Sequence, residues 1–219
     1  MEAGEAFPVF QTSDVGYMVG CTTDVYGAGN TDFWLIKTDA SGNMEWNQTF
    51  GGPGWELFSA MCHTDDGGYV LFGSILFSEA LLVKIDAQGN TVWEKTYDDH
   101  RAGCIIQIPG AGFLAAGGGW VFAIDALGNL LWNRTYEPPF FSFGFRGFTS
   151  AIQTIDGGYA LVGYFGQGDG VIPYLVTAGY EFGITWTDST ANTLTLYRGS
   201  TDSYWNYVHI RVWKIKEAP

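Results

Sequence analysis

The 219-residue chain is 47% hydrophobic and 17% aromatic, with only 15% charged residues and 31 glycines; it has ample apolar surface for a core, and glycine at about twice its usual share of roughly 7% favours short strands and tight turns over helices. Ten Lys and Arg against 23 Asp and Glu give a net charge of −13, which repels a phosphate backbone and excludes nucleic acid as a partner. No run approaches the roughly 18 apolar residues a membrane helix needs, so no membrane insertion is expected.

The first unit, about 7–50, opens with "TSDVGYMVG" from residue 12 and closes with "FWLIKTDASGNMEWNQTF", 33–50. The second, 51–97, is the best formed and resolves into four short apolar segments: "ELFSAMCHT", then a turn at 65–68, "YVLFGSI", "ALLVKID", then a turn at 88–90, and "TVWEKTY". Their lengths and their β-branched and aromatic content predict strands. The third, 98–136, repeats the pattern as "IPGAGFLAAG" and "IDALGNLLW". The fourth, 137–189, keeps "TIDGGYALVGY" but replaces the Asp-x-x-Gly-Asn hairpin with "TAGYEFGITW", a degenerate unit. The last stretch, 190–219, has strand alternation without the repeat's turns.

The aromatic residues Tyr17, Tyr69, Phe113 and Tyr159 stand 52, 44 and 46 residues apart, a period that signals a repeat architecture. The sentence Asp-x-x-Gly-Asn-x-x-Trp occurs three times, ending at Trp46, Trp93 and Trp132. Glycine and asparagine supply positive φ where a hairpin reverses, and Asp39, Asp86 and Asp125 accept hydrogen bonds from the turn's own N–H groups. The Trp then anchors the fourth strand. Read instead as a calcium loop, the sentence lacks the alternating oxygen ligands and the distal Glu such a loop needs.

Four-stranded antiparallel units of about 45 residues build β-propellers. The expected fold is therefore all-β, a propeller of four-stranded blades, five-bladed with a degenerate fourth and an atypical C-terminal unit; a four-bladed ring with a C-terminal hairpin is the alternative. "DGGY" followed by an apolar run and Gly, with "WLIKTDASGNMEW" and "LLVKIDAQGNTVW", resembles the propeller-type repeats of large archaeal and bacterial surface proteins. The resemblance covers 7 to about 165 and implies fold rather than chemistry.

In such a ring the variable loops share one face: 22–32, 51–56, 98–103, 137–147 and 165–170. The candidate binding residues there are Tyr26, Trp55, His100, Arg101, Phe140, Phe141, Arg146 and Asp169. Catalysis finds little support, because His63, His100 and His209 fall in different units and no triad or metalloprotease motif surrounds them. No ligand spacing suggests a metal or a cofactor, and none is expected. Cys21, Cys62 and Cys104 are odd in number with no Cys-x-x-Cys pair, so they read as small buried hydrophobes. Sequons at Asn47 and Asn133 are candidate glycosylation sites on outer strands.

The opening "MEAGEAFPVF" lacks the features of a secretory signal, which leaves either a cytoplasmic chain or an exported one whose signal has been removed. The expected function is a non-enzymatic structural or interaction module of a cell-surface or extracellular assembly, whose partners are another protein or copies of itself. A carbohydrate-binding propeller is the alternative, with glycans as ligands. Residues 190–219 carry four basic and two acidic side chains against the acidic remainder. Their last strand, with Tyr207, His209, Arg211 and Trp213 on one side, is expected to pair beside the N-terminal segment 7–13 or to associate with a second molecule.

Overall fold

The computed structural model describes residues 8–76, 79–98, 101–118, 120–135, 145–153, 159–167, 170–172, 183–185, 194–197 and 210–215. These form strands and turns with no helix among them. The first sheet is β1 (Val9–Gln11), β2 (Tyr17–Thr23), β3 (Asp32–Thr38) and β4 (Met44–Phe50); the second is β5 (Glu56–His63), β6 (Tyr69–Ile75), β7 (Glu79–Ile85) and β8 (Thr91–Tyr97). The third is β9 (Ala102–Ile108), β10 (Gly112–Gly117), β11 (Trp120–Ile124) and β12 (Leu130–Thr135). Each is an antiparallel meander, strand paired to next strand, as a propeller blade requires.

The sheets stack face to face. One face of the second sheet meets the first through Met18, Phe33, Leu35, Phe58, Leu71 and Val83, and its other face meets the third through Val70, Phe72, Leu82, Ala115 and Phe122. The third sheet's far side packs Leu114, Val121 and Ala123 on Phe148, Ala151 and Leu161 of the fourth. Burial on both faces explains why β6, β7, β10 and β11 read as continuous apolar runs and not as alternating strands. The outer strands β4 and β8 are largely exposed.

The first strands of successive sheets lie side by side around a cavity of about 360 Å³ lined by Ser59–Met61, Gly103–Ile106, Thr149–Ala151 and Pro8. Three of these strands carry a bulge at the same register position: Ser59 in β5, Gly103 in β9 and Thr149 in β13 (Phe145–Gln153). Beside the first two bulges, the N–H of Phe58 donates to Thr22 Oγ1 at 3.0 Å and that of Ala102 to Ser74 Oγ at 2.8 Å. β5 and β9 are thereby each tied to a hydroxyl of the preceding sheet.

The fourth sheet departs from the meander. Its order is β13, β14 (Tyr159–Gln167), β18 (Ile210–Ile215), β17 (Leu194–Tyr197) and β16 (Gly183–Thr185), with β15 (Gly170–Ile172) also on β14. The C-terminal strand therefore does not pair with the N-terminal segment, as the sequence suggested; β1 is taken up by β2, and β18 stands in the place of a third blade strand. The register shows why it fits there. Lys214 lies opposite Ala160 as Lys84 lies opposite Val70 and Lys37 opposite Met18. β18 pairs with β14 along 213–215 on one edge and with β17 along 210–212 on the other, so it lies inside the sheet and not at its end, where a self-associating strand was expected.

Candidate functional site

The repeated sentence works between sheets as well as within them. In the first three sheets the Asp caps its own hairpin: Asp86 Oδ1 accepts from the N–H groups of Gln88 and Asn90 at 2.9 and 2.8 Å, and Asn90 Nδ2 donates to its Oδ2 at 2.9 Å. Asp39 and Asp125 do the same. The side-chain amides of Asn43 and Asn90 hold Asp39 and Asp86 below the usual carboxylate range, and the backbone N–H of Asn129 does so for Asp125. The Trp then reaches the next sheet: a β-carbon on Gly89 would stand 2.9 Å from the ring of Trp46, and one on Gly128 would stand 3.3 Å from that of Trp93. Tyr97 Oη adds a hydrogen bond to the carbonyl of Gly128 at 2.6 Å.

On the same end of the sheets, Lys37 pairs with Asp14 at 2.8 Å and Glu45 at 2.6 Å, and Lys84 pairs with Asp66 at 2.7 Å. The third sheet has Ala123 and Gly110 at the positions of that Lys and Asp, so it lacks both partners together. These hairpins are scaffold, and the variable loops lie at the opposite end.

Among them, 24–31 and 51–55 are brought together. Asn30 N donates to Gly54 O at 2.8 Å, Glu56 N to Thr31 O at 2.9 Å, and Thr31 bridges Trp55 in parallel. The next loop joins the pair through Leu76 N, which donates to Trp55 O at 3.0 Å; Gly118 N repeats this with Arg101 O at 3.3 Å one sheet further on. The result is a fixed surface from which large apolar side chains face solvent: Tyr26 is 56% exposed, Trp55 48% and Leu76 58%. Tyr26 leans on Trp34 with ring centroids 5.3 Å apart. Leu76 holds φ at 49°, a left-handed conformation uncommon for a leucine.

Of the expected site residues, the structure brings Tyr26 and Trp55 onto this loop surface and places Arg101, exposed, on the loop entering the third sheet. His100, Phe140, Phe141, Asp169, Tyr207 and His209 lie outside the described residues. Arg146 is not in a loop: it falls in β13, between Phe145 opposite Phe165 and Gly147 opposite Tyr164, where the register shifts. Arg211 and Trp213 lie within β18. Asn47 and Asn133 are both exposed, on β4 and β12, and Asn47 Oδ1 accepts from Trp34 Nε1 at 3.0 Å. Cys62 and Cys104 are buried free thiols, each pushed up to about 12 by burial.

Two residues of this region carry no repeat signal. Asp32 and Glu56 are buried at the bases of the two joined loops. Burial, with Asp32 and Glu94 nearby, pushes the Glu56 carboxyl up, against a hydrogen bond from the Gly52 backbone. They sit far apart in the chain, and only the folded loops make them neighbours. Leu76 likewise carries no sequence signal, because nothing in "SILFS", 74–78, marks one apolar residue as facing outward.

No family model matches the sequence, and no curated protein matches it significantly. Among solved structures, the chain is similar to the Dos1 propeller, with a TM-score of 0.51 at 15% identity over 90% of this chain and 50% of that one. It also aligns with a protein of unknown function from Bacteroides caccae, with a TM-score of 0.47 at 10% identity over 83% of this chain and 66% of that one. The chain thus spans about half the length of the Dos1 propeller. Together with the meander sheets, that likeness shows a β-propeller fold.

Proposed function

We propose that this chain is a non-catalytic interaction module of a cell-surface or extracellular assembly, and that it binds a protein partner through the loop surface bearing Tyr26, Trp55 and Leu76. The observation that carries the reading is the Trp55–Leu76 contact. Two large apolar side chains are offered to solvent from adjacent loops joined by a backbone hydrogen bond, and one of them holds a strained backbone conformation. Neither exposure serves the core. Rigid loops that present aromatic rings bind with little ordering cost, and tryptophan is prominent among residues that dominate interfaces.

A photo-crosslinking amino acid placed at residue 55 tests this in the cells that make the protein. It should capture one discrete protein, whereas the same group at residue 130, exposed on the outer strand β12, should not. Equal capture from both positions would refute the proposal. A second reading, carbohydrate binding, is favoured by the open faces of Tyr26 and Trp55, since aromatic rings stack on sugars. In that case a glycan array would show binding lost in Trp55→Ala, and residue 55 would crosslink no discrete protein.

A further inference from the structure

We propose that the open face of the first sheet docks a repeat sheet of a different protein, whose outer-strand tryptophan seats over Gly42. The sheets of this fold meet with one polarity. In each pair the later sheet offers the face that begins with the repeat's aromatic residue: Tyr69 and Leu71 meet the first sheet, Phe113 and Ala115 the second, and Tyr159 and Leu161 the third. The first sheet carries the same face, with Tyr17 and Val19 opposite Thr38 and Ile36 as Tyr69 and Leu71 are opposite Ile85 and Val83. None of its side chains belongs to a core cluster shared with another described sheet. Tyr17 is 38% exposed, and Val19, Trp34 and Ile36 are half-buried, whereas Tyr69, Leu71, Leu81 and Val83 at the same places in the second sheet are at most 3% exposed. An apolar sheet face is stable when it is buried against another layer.

The hairpin at the end of that face identifies what fits it. Gly89 and Gly128 are each covered by the tryptophan of the preceding sheet, Trp46 and Trp93. Gly42 holds the same place in the first sheet's hairpin, with φ at 83°, and a β-carbon there would meet nothing among the described residues within 4 Å. The carbonyl of Ala40 stands at the position from which that of Ala126 accepts the indole N–H of Trp93. Ring seat and acceptor are thus both formed on the first hairpin. This chain's own repeats do not supply the tryptophan. Trp46 and Trp93 are engaged on the second and third hairpins, and Trp132 packs on the cluster that the third sheet shares with the fourth. In the fourth sheet the place of the outer strand falls to β17, Leu-Thr-Leu-Tyr, which has no tryptophan. The same engagement holds in a second copy. The occupant is therefore another protein with the Asp-x-x-Gly-Asn-x-x-Trp repeat, held by the contact that already joins the sheets here.

This face ends at the hairpins, opposite the loops that bear Trp55 and Leu76, so the two surfaces are tested separately. A photo-crosslinking phenylalanine in place of Tyr17, in the cells that make the protein, should join to one protein other than this chain. The crosslinked peptide, sequenced by mass spectrometry, should contain the repeat's tryptophan sentence. The same group at residue 92, exposed on β8, should not capture it. Gly42→Ala should lower the affinity for that protein by at least about tenfold, because its methyl would meet the incoming ring as one on Gly89 would meet Trp46. Capture from residue 55 should be unchanged in the same variant. Should Gly42→Ala fail to fold, the identity of the peptide crosslinked to residue 17 decides alone. A crosslink into residues 145–219 of the same chain, into a second copy or into a protein without the repeat would overturn the proposal, as would no crosslink at all or an affinity undiminished in Gly42→Ala.

Discussion

Trp93 on the second sheet donates its indole N–H to the carbonyl of Ala126 in the hairpin of the third, at 3.0 Å, while its ring covers Gly128. Trp46 makes the same approach to Gly89 one sheet earlier. The repeated sentence recurs because its two halves meet between units: the glycine of one hairpin leaves room for the tryptophan of the preceding sheet. Trp93 is only half-buried, so Trp93→Ala should cost about 2 to 3 kcal/mol, less than the 3 to 5 typical of a fully buried aromatic. Chemical denaturation measures this, and an unchanged midpoint would contradict the coupling.

Gly89→Ala makes the converse prediction. The position has φ at 88°, and the new methyl would meet the Trp46 ring. The substitution should destabilise by more than about 1 kcal/mol. At Gly42, where nothing lies within 4 Å, Gly42→Ala should show the backbone cost alone and so lose less.

Asp66 sets part of the acid stability. The Lys84 ammonium, then Thr64, hold its carboxyl down to about 2, below the ordinary value of 3.8. A carboxylate depressed in the folded state stabilises above its unfolded value, and that contribution is lost as pH falls from about 4 towards 2. Asp66→Asn should therefore flatten this part of the acid limb. Because Asp66 is mostly exposed while Lys84 is buried, removing the acid strands a buried charge, and removing the lysine leaves a solvated one. Lys84→Met should cost less than Asp66→Asn when the two midpoints are compared at pH 7.

Deleting residues 210–219 should leave the edge of β14 unpaired and cause aggregation, whereas the intact 24 kDa chain should sediment as a monomer at micromolar concentration. A truncated chain that stays folded and soluble would show that β18 is dispensable.

The legible parts of this protein were those written in local chemistry. The Asp39, Asp86 and Asp125 turns follow from which residues tolerate positive φ and which side chains cap a reversal, and the runs "YVLF" and "FLAA" follow from burial on two faces. Tyr26 and Trp55 were visible as aromatics in variable loops, but their joining rests on the backbone bond from Asn30 to Gly54, which composition does not encode. Asp32 and Glu56 escaped because each is an isolated acid until the sheets stack. The place of β18 did leave a trace: "WKI" at 213–215 repeats the Lys-Ile pair of "VKI" at 83–85, with Lys214 in register with Lys84. The bulges at Ser59, Gly103 and Thr149 share a position but no residue type, so only register reveals them.

The central claim, that Trp55 and Leu76 serve binding and not folding, is tested most directly by the double substitution Trp55→Ser with Leu76→Gly. Leu76→Gly relieves a left-handed backbone that costs an ordinary residue roughly 1 kcal/mol, and Trp55 contributes little to the core, so the variant should melt at or above the parent's temperature. Its affinity for the protein captured from residue 55 should nonetheless fall by at least about tenfold, as expected on losing interface anchors. A variant that binds like the parent, or one that no longer folds, would contradict the account.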